Sequence, residues 1–442
     1  MKTLIYAYGS RGDIQPYIAL AAALNKAGHH AMLAAPAKFE ALAGEYDVEF
    51  FPRNEDLIDL FLNDPDIITW MSMANRRGPE ARKLRKTVHG RLAAELRRCL
   101  PIMLRELVDA AAGDVDLVVQ AYGAWPYEQG HHVAERLGVP AVLGTLDPSY
   151  LPSWHYPAKF VPSGRRYPPL VRRLSHVPPT AQQLAGRQTV DRWRADTLGL
   201  PPRRGRHNRL RRPDGGPAPV IQGFSANVLP PAPDWPESVV TTGFWFTQAT
   251  PGVAISEDLA RFVAGGEPPV CVSLGSVRGM DPVAAGQIVV DAIRLADVRA
   301  VVVRASGSLE VTDGGTRAFV VDEVPYRWLF PKTCLVVHAA GLGTSNEALR
   351  EGVPQVSCPV SNEQLMWGTR LHEIGVAPAP LRAEHLTADD LAASIRRALA
   401  DPAMRARAEQ MGEAVRAEDG TGKAVLALES VEREFRRASS AG

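Results

Sequence analysis

Cysteine is scarce. Four residues, Cys99, Cys271, Cys334 and Cys358, stand far apart in 442 and form no Cys-X-X-Cys pair. That spacing excludes a disulfide scaffold and a thiolate zinc framework. Cys271, Cys334 and Cys358 lie in or beside apolar runs and read as small core residues of a reducing compartment. Long apolar runs are missing too. None approaches the ~20 residues that span a bilayer, so no integral membrane contact is expected. The opening Met1 to Ser10 reads as a strand and a glycine turn, without the apolar core and cleavage site of a signal peptide. A soluble, cytoplasmic protein is the expectation. An excess of one charge is also lacking: 50 Lys and Arg against 49 Asp and Glu leave a net +1. No global field then recruits nucleic acid or an anionic membrane. The length suggests two or three domains, each able to bury its own core.

What the chain does have is concentrated between Cys334 and Gly368. Leu335-Val336-Val337 reads as a buried parallel strand. His338 stands at its end, followed by a loop of small residues, Ala339 to Ser345. Asn346 to Glu351 reads as a helix closed by Gly352, with Pro354 just beyond. Strand, small-residue turn and helix present backbone N–H groups to a phosphate. A second strand, Gln355 to Cys358, releases the polar cluster Ser361-Asn362-Glu363-Gln364. In a parallel sheet both loops leave the same edge. A phosphate cradle beside hydroxyl-binding side chains suits a sugar nucleotide.

The N-terminal part begins a doubly wound α/β pattern. Thr3 to Tyr8 reads as a strand, Gly9 to Asp13 as a turn, Ile14 to Ala27 as a helix capped by Gly28, and Ala31 to Ala35 as the next strand. Asp13 has two readings: a helix cap, or a carboxylate at the ligand edge that can take a proton from a hydroxyl. Asn54 to Leu107 is long, helical and mixed in charge; with Trp70, Met71 and Met73 it reads as a cleft wall or as ordinary helix core. Strands are expected at Asp116 to Gln120 and at Val139 to Gly144. His131 and His132 fall in the helix between them and read as helix-face residues. Asp64-Pro65-Asp66 lies in a loop or cap, and Asp114-Val115-Asp116 precedes its strand, at the wrong edge for ligands. Neither is assigned a metal. Pro201 to Pro217, rich in Arg, Gly and Pro, reads as a solvated linker, with an anionic membrane contact as the alternative.

The 338–364 stretch resembles the nucleotide-sugar signature of GT-B glycosyltransferases, in the branch of sterol glucosyltransferases and glycopeptide-antibiotic glycosyltransferases. The family pattern is His-His-Gly-Gly-Ala-Gly-Thr, a short helix, Gly-Val-Pro-Gln, then Asp-Gln. Here it runs His338, Ala339, Ala340, Gly341, Leu342, Gly343, Thr344, then Gly352-Val353-Pro354-Gln355, then Glu363-Gln364. One histidine is replaced by Ala339, the first loop glycine by Ala340, and Asp by Glu363. Gly9 to Pro16 is similar to the family's Gly-Ser/Thr-Arg-Gly-Asp element, and Leu229 to Phe246 to its inter-domain passage. The match is weakest at 54–110.

The resemblance implies an α/β GT-B fold: two Rossmann-like, doubly wound parallel-sheet domains facing a cleft. Residues 1–218 would form the acceptor-binding domain, 219–243 a linker and 244–420 the donor domain, with a C-terminal helix (421–442) crossing back. It implies an inverting, metal-independent transfer from a dTDP- or UDP-sugar to a hydroxyl of a small apolar acceptor such as a secondary-metabolite aglycone, without a cofactor. Asp13 would be the base. Ser276, His338, Gly341, Leu342, Gly343, Thr344 and Ser345 would hold the diphosphate; Val324, Pro325 and Glu347 the nucleoside; Glu363 and Gln364 the sugar. Ser10, Arg11, Trp70, Tyr122 and Trp154 would line the acceptor side. Glu323 stands where relatives often carry a stacking aromatic. The partners expected are these two small molecules, with no nucleic acid and room for a homodimer. The alternative is a GT-B protein turned to other nucleotide-sugar chemistry, or a non-catalytic partner or activator.

Overall fold

Two all-parallel sheets carry the chain. The computed structural model describes residues 1–72, 78–123, 128–158, 161, 166–178, 187–201, 208–248, 255–275, 280–304, 309–311 and 314–440. The first sheet comprises β1 (Lys2–Tyr6), β2 (His30–Pro36), β3 (Glu49–Arg53), β4 (Leu117–Ala121), β5 (Ala141–Thr145), β6 (Val220–Gln222) and β7 (Val239–Thr241), in the order β3-β2-β1-β4-β5-β6-β7. The second comprises β8 (Val270–Ser273), β9 (Ala300–Val303), β10 (Ala318–Val321), β11 (Leu335–His338) and β12 (Gln355–Ser357), in the order β10-β9-β8-β11-β12. Runs such as Leu4-Ile5-Tyr6 and Val336-Val337 are apolar at successive positions because helices cover both faces of each sheet.

The strand orders locate the ligand edges. In the first sheet the winding reverses between β1 and β4, where Tyr6 lies opposite Gln120. In the second it reverses between β8 and β11, where His338 lies opposite Ser273. Loops that leave such a switch point diverge and open a crevice at the carboxyl ends of the strands. Asp13 follows the first of these points and the cradle sequence follows the second.

Helices α1 (Arg11–Lys26) and α2 (Glu40–Gly44) join the first three strands. The 54–107 region forms α3 (Asp56–Asn63), α4 (Pro65–Ser72) and the long α5 (Pro79–Asp109). Beyond β4 come α6 (Gly130–Leu137), α7 (Pro169–Leu174) and α8 (Arg187–Asp196). In the second half α9 (Glu257–Ala264) precedes β8, α10 (Pro282–Ala296) joins β8 to β9, and α11 (Tyr326–Leu329) precedes β11. Then follow α12 (Leu342–Arg350), α13 (Asn362–Glu373), α14 (Ala388–Leu399), α15 (Pro402–Arg416) and α16 (Gly420–Ser440).

Two expectations need correction. The segment expected as a linker, 219–243, supplies β6 and β7 to the first sheet. The helix expected from Asn346 begins at Leu342. Behind Leu342 its first turn holds Gly343 and Thr344, poor helix formers by propensity, so packing sets the start.

The last helix does cross back. Ala424, Val425 and Leu428 of α16 are buried in the same core cluster as Ile5, Ile18 and Val119. Glu429 contacts His29 at 2.9 Å, and Arg436 reaches Asp116 at 3.1 Å. Asp116 also accepts from the Lys2 backbone N–H at 2.7 Å, and Asp114 pairs with the Lys2 ammonium. This Asp-X-Asp triplet thus ties the N-terminal edge of the sheet. Asp64 of the other triplet caps α4, accepting from the N–H groups of Asp66 and Ile67, and pairs with Arg91.

Candidate active site

The first edge is built by a turn that only glycine permits. Gly9 has φ +147°, and a Cβ there would fall 2.5 Å from Asp13 Oδ2. Ser10 caps α1 and Asp13 sits three positions in, half-buried. Asp13 Oδ2 accepts from the Ser10 backbone N–H and from its hydroxyl, both at 2.8 Å. The carboxylate therefore takes part in a capping box, one of its two sequence readings. One turn on, the buried Tyr17 donates to the Gly144 carbonyl at 2.6 Å and meets Trp245 edge-on at 5.4 Å. Burial, then the Asp13 charge, raises the Tyr17 pKa, so its phenol stays protonated.

The second edge is built around His338, which is fully buried. Its Nδ1 accepts from the Ala340 N–H at 2.9 Å, so the proton sits on Nε2, which donates to Gln355 Oε1 at 2.7 Å. Burial depresses its pKa to about 4. This corrects an expectation: both ring nitrogens are engaged, one by Ala340 in the loop and one by Gln355 of β12, and the neutral imidazole offers no donor to a diphosphate. It shapes the turn instead. Ala340, held by that bond, has φ +58°, a left-handed conformation that disfavours a Cβ.

Past the turn, α12 begins with Gly341 as a cap without a capping side chain. The Ser345 N–H donates to the Gly341 carbonyl at 3.0 Å, and Ser345 is buried. The Ser345 N–H is thus spent within the helix, while its hydroxyl is buried without a hydrogen-bond partner. The N–H groups of Leu342, Gly343 and Thr344, at the first three helical positions, are the ones a helix leaves unpaired. The Tyr326 hydroxyl lies 2.7 Å from Ser273 Oγ, and its ring stacks on Phe330 at 4.5 Å. Burial raises the Tyr326 pKa, while a hydrogen bond to Thr344 and the charge of Arg11 oppose the rise. Arg11 opens α1, so the two edges approach each other here. Gln15 of α1 also donates to Thr247 Oγ1 at 3.3 Å.

Glu347 lies one turn into α12 between Arg327 and Arg350, each nitrogen 3.7 Å from a carboxylate oxygen. Burial pushes its pKa up, and the two guanidinium groups oppose this. Glu347 Oε2 and Arg327 Nε are buried without a hydrogen-bond partner. Such orphaned groups call for a polar ligand or water. Gln364 is committed on one side: its Oε1 accepts from the Val360 N–H at 2.8 Å and the Ser361 N–H at 3.2 Å, so only its amide N–H groups can serve a sugar. Glu363 beside it is half-buried. Val324 and Pro325 are half-buried; the Pro325 carbonyl accepts from Trp328 and Leu329, and Glu323 is exposed.

On the acceptor side the residues separate. Ser10 and Arg11 open α1, with the Arg11 guanidinium donating to Gln15 Oε1 at 3.2 Å. Trp70, half-buried on α4, meets His89 of α5 edge-on at 5.5 Å. Trp154 is 42% exposed on the loop after β5, its N–H donating to Asp234 Oδ2 at 2.9 Å. Tyr122 is a correction: it is buried, covered by Arg209 4.7 Å above its ring and packed with Leu143 and Val220, so it supports the edge from below. Ser276, Met73 and the side chain of Met71 lie outside the described residues.

Sequence reasoning missed a buried charge cluster at the first edge. The Arg53 guanidinium, at the end of β3, donates to Glu128 Oε2 at 2.9 Å and lies between the Tyr6 and Tyr8 rings. No pattern in one sequence links these distant positions. The paired histidines lie on α6, on a buried face: His131 accompanies Gln120, and His132 accepts from Arg194 at 2.5 Å. Among the described residues the metal-like cluster Asp56, Glu95 and Cys99 is filled by Arg98, which donates to both carboxylates.

The comparisons with known proteins fit this geometry. Residues 3–153 match the glycosyltransferase family 28 N-terminal domain, and residues 288–429 the erythromycin biosynthesis protein CIII-like C-terminal domain. O-mycaminosyltylonolide 6-deoxyallosyltransferase of Streptomyces fradiae is 35% identical over 97% of this chain and 97% of its own. The chain belongs to the GT-B glycosyltransferases. Sterol 3-beta-glucosyltransferase UGT80B1 of Arabidopsis thaliana is 28% identical over 97% of this chain and 68% of its own. The glycosyltransferase VinC, solved in complex with dTDP, superposes with a TM-score of 0.63 at 20% identity, covering 98% of this chain and 100% of its own. As a member of this family the chain is a glycosyltransferase enzyme. Among the described residues no helix is long and apolar enough to cross a membrane.

Proposed function

We propose that this glycosyltransferase moves a hexose from a dTDP- or UDP-sugar to a hydroxyl of a small apolar acceptor, a secondary-metabolite aglycone, with inversion and without a metal ion. The observation that carries the reading is the pairing of two switch-point edges: a carboxylate, Asp13, on one, and an uncapped helix start behind a buried histidine on the other. The chemistry needs both. The acceptor oxygen attacks the anomeric carbon and its proton passes to an Asp13 oxygen, while the bond from that carbon to the diphosphate oxygen breaks. The leaving diphosphate gains charge, and the amides of Leu342, Gly343 and Thr344 face it with the helix dipole. Fixed donors of this kind contribute ~3–4 kcal/mol each at a developing anion. Glu347 accepts from the sugar hydroxyls of the nucleoside, and Glu363 and the Gln364 amide hold the transferred hexose. Trp70 and Trp154 give the acceptor apolar surface.

The names of two relatives support the choice of substrates: one transfers a 6-deoxyallosyl group to O-mycaminosyltylonolide, and VinC was solved with dTDP. The test is a mass-spectrometric screen of the purified protein against dTDP- and UDP-sugars with macrolide, polyketide and sterol acceptors. A product one hexose heavier, with the anomeric configuration inverted by NMR, is the expected result. Nucleotide-sugar turnover without glycoside formation in any pairing would refute it.

A further inference from the structure

Twelve large apolar side chains are exposed among the described residues, and four of them, Leu170, Val171, Leu174 and Val177, stand within eight positions. Trp154 adds a fifth to the same face, since the Arg173 guanidinium lies 6.0 Å above its ring. Helix α7 carries three of the four, and none of its residues is buried. A helix with its apolar side chains in water has a missing partner, because single exposed apolar residues are ordinary and clustered ones are not.

The mount is firm. The Arg172 guanidinium donates to the His155 carbonyl at 3.2 Å. The Ala158 N–H donates to Ser175 Oγ at 2.8 Å, and His176 Nε2 meets the Tyr156 carbonyl at 3.0 Å. Tyr156 in turn stacks on Trp235 at 5.9 Å. The exposed row is therefore held on the loop that follows β5, at the ligand edge of the first sheet.

Charge identifies the occupant. From Pro148 to Val190 the sequence has no Asp or Glu; among the described residues Arg166, Arg172 and Arg173 stand on or beside α7, whereas Arg187 pairs with Asp191 just beyond. The whole chain is almost neutral, so this is a local excess. Apolar side chains flanked by arginines, with tryptophan at the rim, match the boundary between acyl chains and anionic headgroups. A second copy placed here about a two-fold axis would set the same cationic face against itself.

We propose that the face formed by α7 and Trp154 is a peripheral docking surface for an anionic lipid bilayer. The docked chain lies on the membrane without entering its core, in keeping with the absence of a spanning helix among the described residues. An apolar acceptor dissolved in lipid would then reach the enzyme beside the cleft. That consequence rests on the acceptor reading above, whereas the docking itself does not.

Co-sedimentation of the full chain tests it, using vesicles of phosphatidylcholine alone and of phosphatidylcholine mixed with phosphatidylglycerol. The expected result is binding to the mixed vesicles at least ~10-fold stronger than to the neutral ones, weakened by salt. Leu170→Asp with Leu174→Asp, and separately Arg166→Glu with Arg173→Glu, should each lower that binding ~10-fold. Thermal melts should be unchanged, since α7 buries nothing. No binding, equal binding to both vesicles, or binding indifferent to both double variants would overturn the proposal. So would light scattering that shows a dimer which the same variants dissociate, or a soluble protein that occupies the face and excludes vesicles.

Discussion

Replacing His338 separates two ways in which a histidine can serve a phosphate cradle. In a direct role the ring donates to the diphosphate. In the structure it holds the loop, with Nδ1 on the Ala340 N–H and Nε2–H on Gln355. His338→Ala strands both partners in a dry site; each unsatisfied group costs ~1–3 kcal/mol, and the lost ring leaves a cavity. A total loss of ~3–5 kcal/mol in urea denaturation is expected. Side-chain geometry then separates the two roles. His338→Asn places an oxygen near the Nδ1 position and can still accept from Ala340, whereas His338→Gln reaches toward the Nε2 position. Loop-holding predicts that the asparagine variant keeps nucleoside diphosphate affinity better than the glutamine variant, by calorimetry. The reverse order would refute it. pH gives a second reading. Folding lowers the His338 pKa from 6.5 to about 4. The unfolded chain therefore takes up the proton first as pH falls. This contribution to stability is complete above pH 6.5, is lost between 6.5 and 4, and falls no further below 4, ~3 kcal/mol in all. The wild-type minus asparagine difference should shrink across that window. Parallel pH profiles would mean that the ring is not held neutral.

Four further outcomes are expected. Asp13→Asn should keep the capping box and the melting temperature yet lose transfer, with nucleotide binding nearly intact; activity within tenfold of wild type would move the base elsewhere. Ala340→Gly should stabilise the protein by up to ~1 kcal/mol in urea, because φ +58° disfavours a Cβ; destabilisation would mean that the turn is not strained. Transfer should persist in excess EDTA, and loss of activity restored by Mg²⁺ or Mn²⁺ would overturn the metal-free reading. Ala339→His should destabilise by ~1–3 kcal/mol, since Ala339 is only 3% exposed; unchanged urea midpoints would show room for the ring.

Much of this was legible in the sequence, and the reasons are local. The β-branched run at 335–337 and the Gly-Val-Pro-Gln that follows α12 mark two adjacent parallel strands, and these pair as β11 and β12. The glycine turn after β1 was equally plain, because a strand, Gly9 and an amphipathic helix follow in order. What the sequence hid depends on partners far along the chain. Ser345 belongs to the cradle motif by spacing, yet the helix starts four residues earlier than its composition suggests and takes the residue inside. Tyr122 follows a strand at the ligand edge, and only the fold brings Arg209 over its ring. The resemblance implies a ligand role for His338; its bond to Gln355, 17 residues on, is set by the pairing of β11 with β12.

The same separation governs Asp13. Two hydrogen bonds from Ser10 fix its Oδ2, and Gly9 gives that oxygen its space. A cap and a base are usually weighed as rivals, yet here one arrangement favours both. The bonds that complete the helix start restrict the rotation of the carboxylate, so in the proposed role it would accept the hydroxyl proton from a fixed position. Both Ser10 bonds fall on Oδ2. The variants divide these duties. Asp13→Asn retains an oxygen for Ser10 and loses the basicity, Asp13→Ala loses both, and Ser10→Ala keeps the base but frees it to rotate. If the carboxylate serves only the helix, the first and last of these should transfer sugar as well as the parent. If it serves the chemistry through its placement, Asp13→Asn should be inactive at full stability and Ser10→Ala should lose kcat more than affinity.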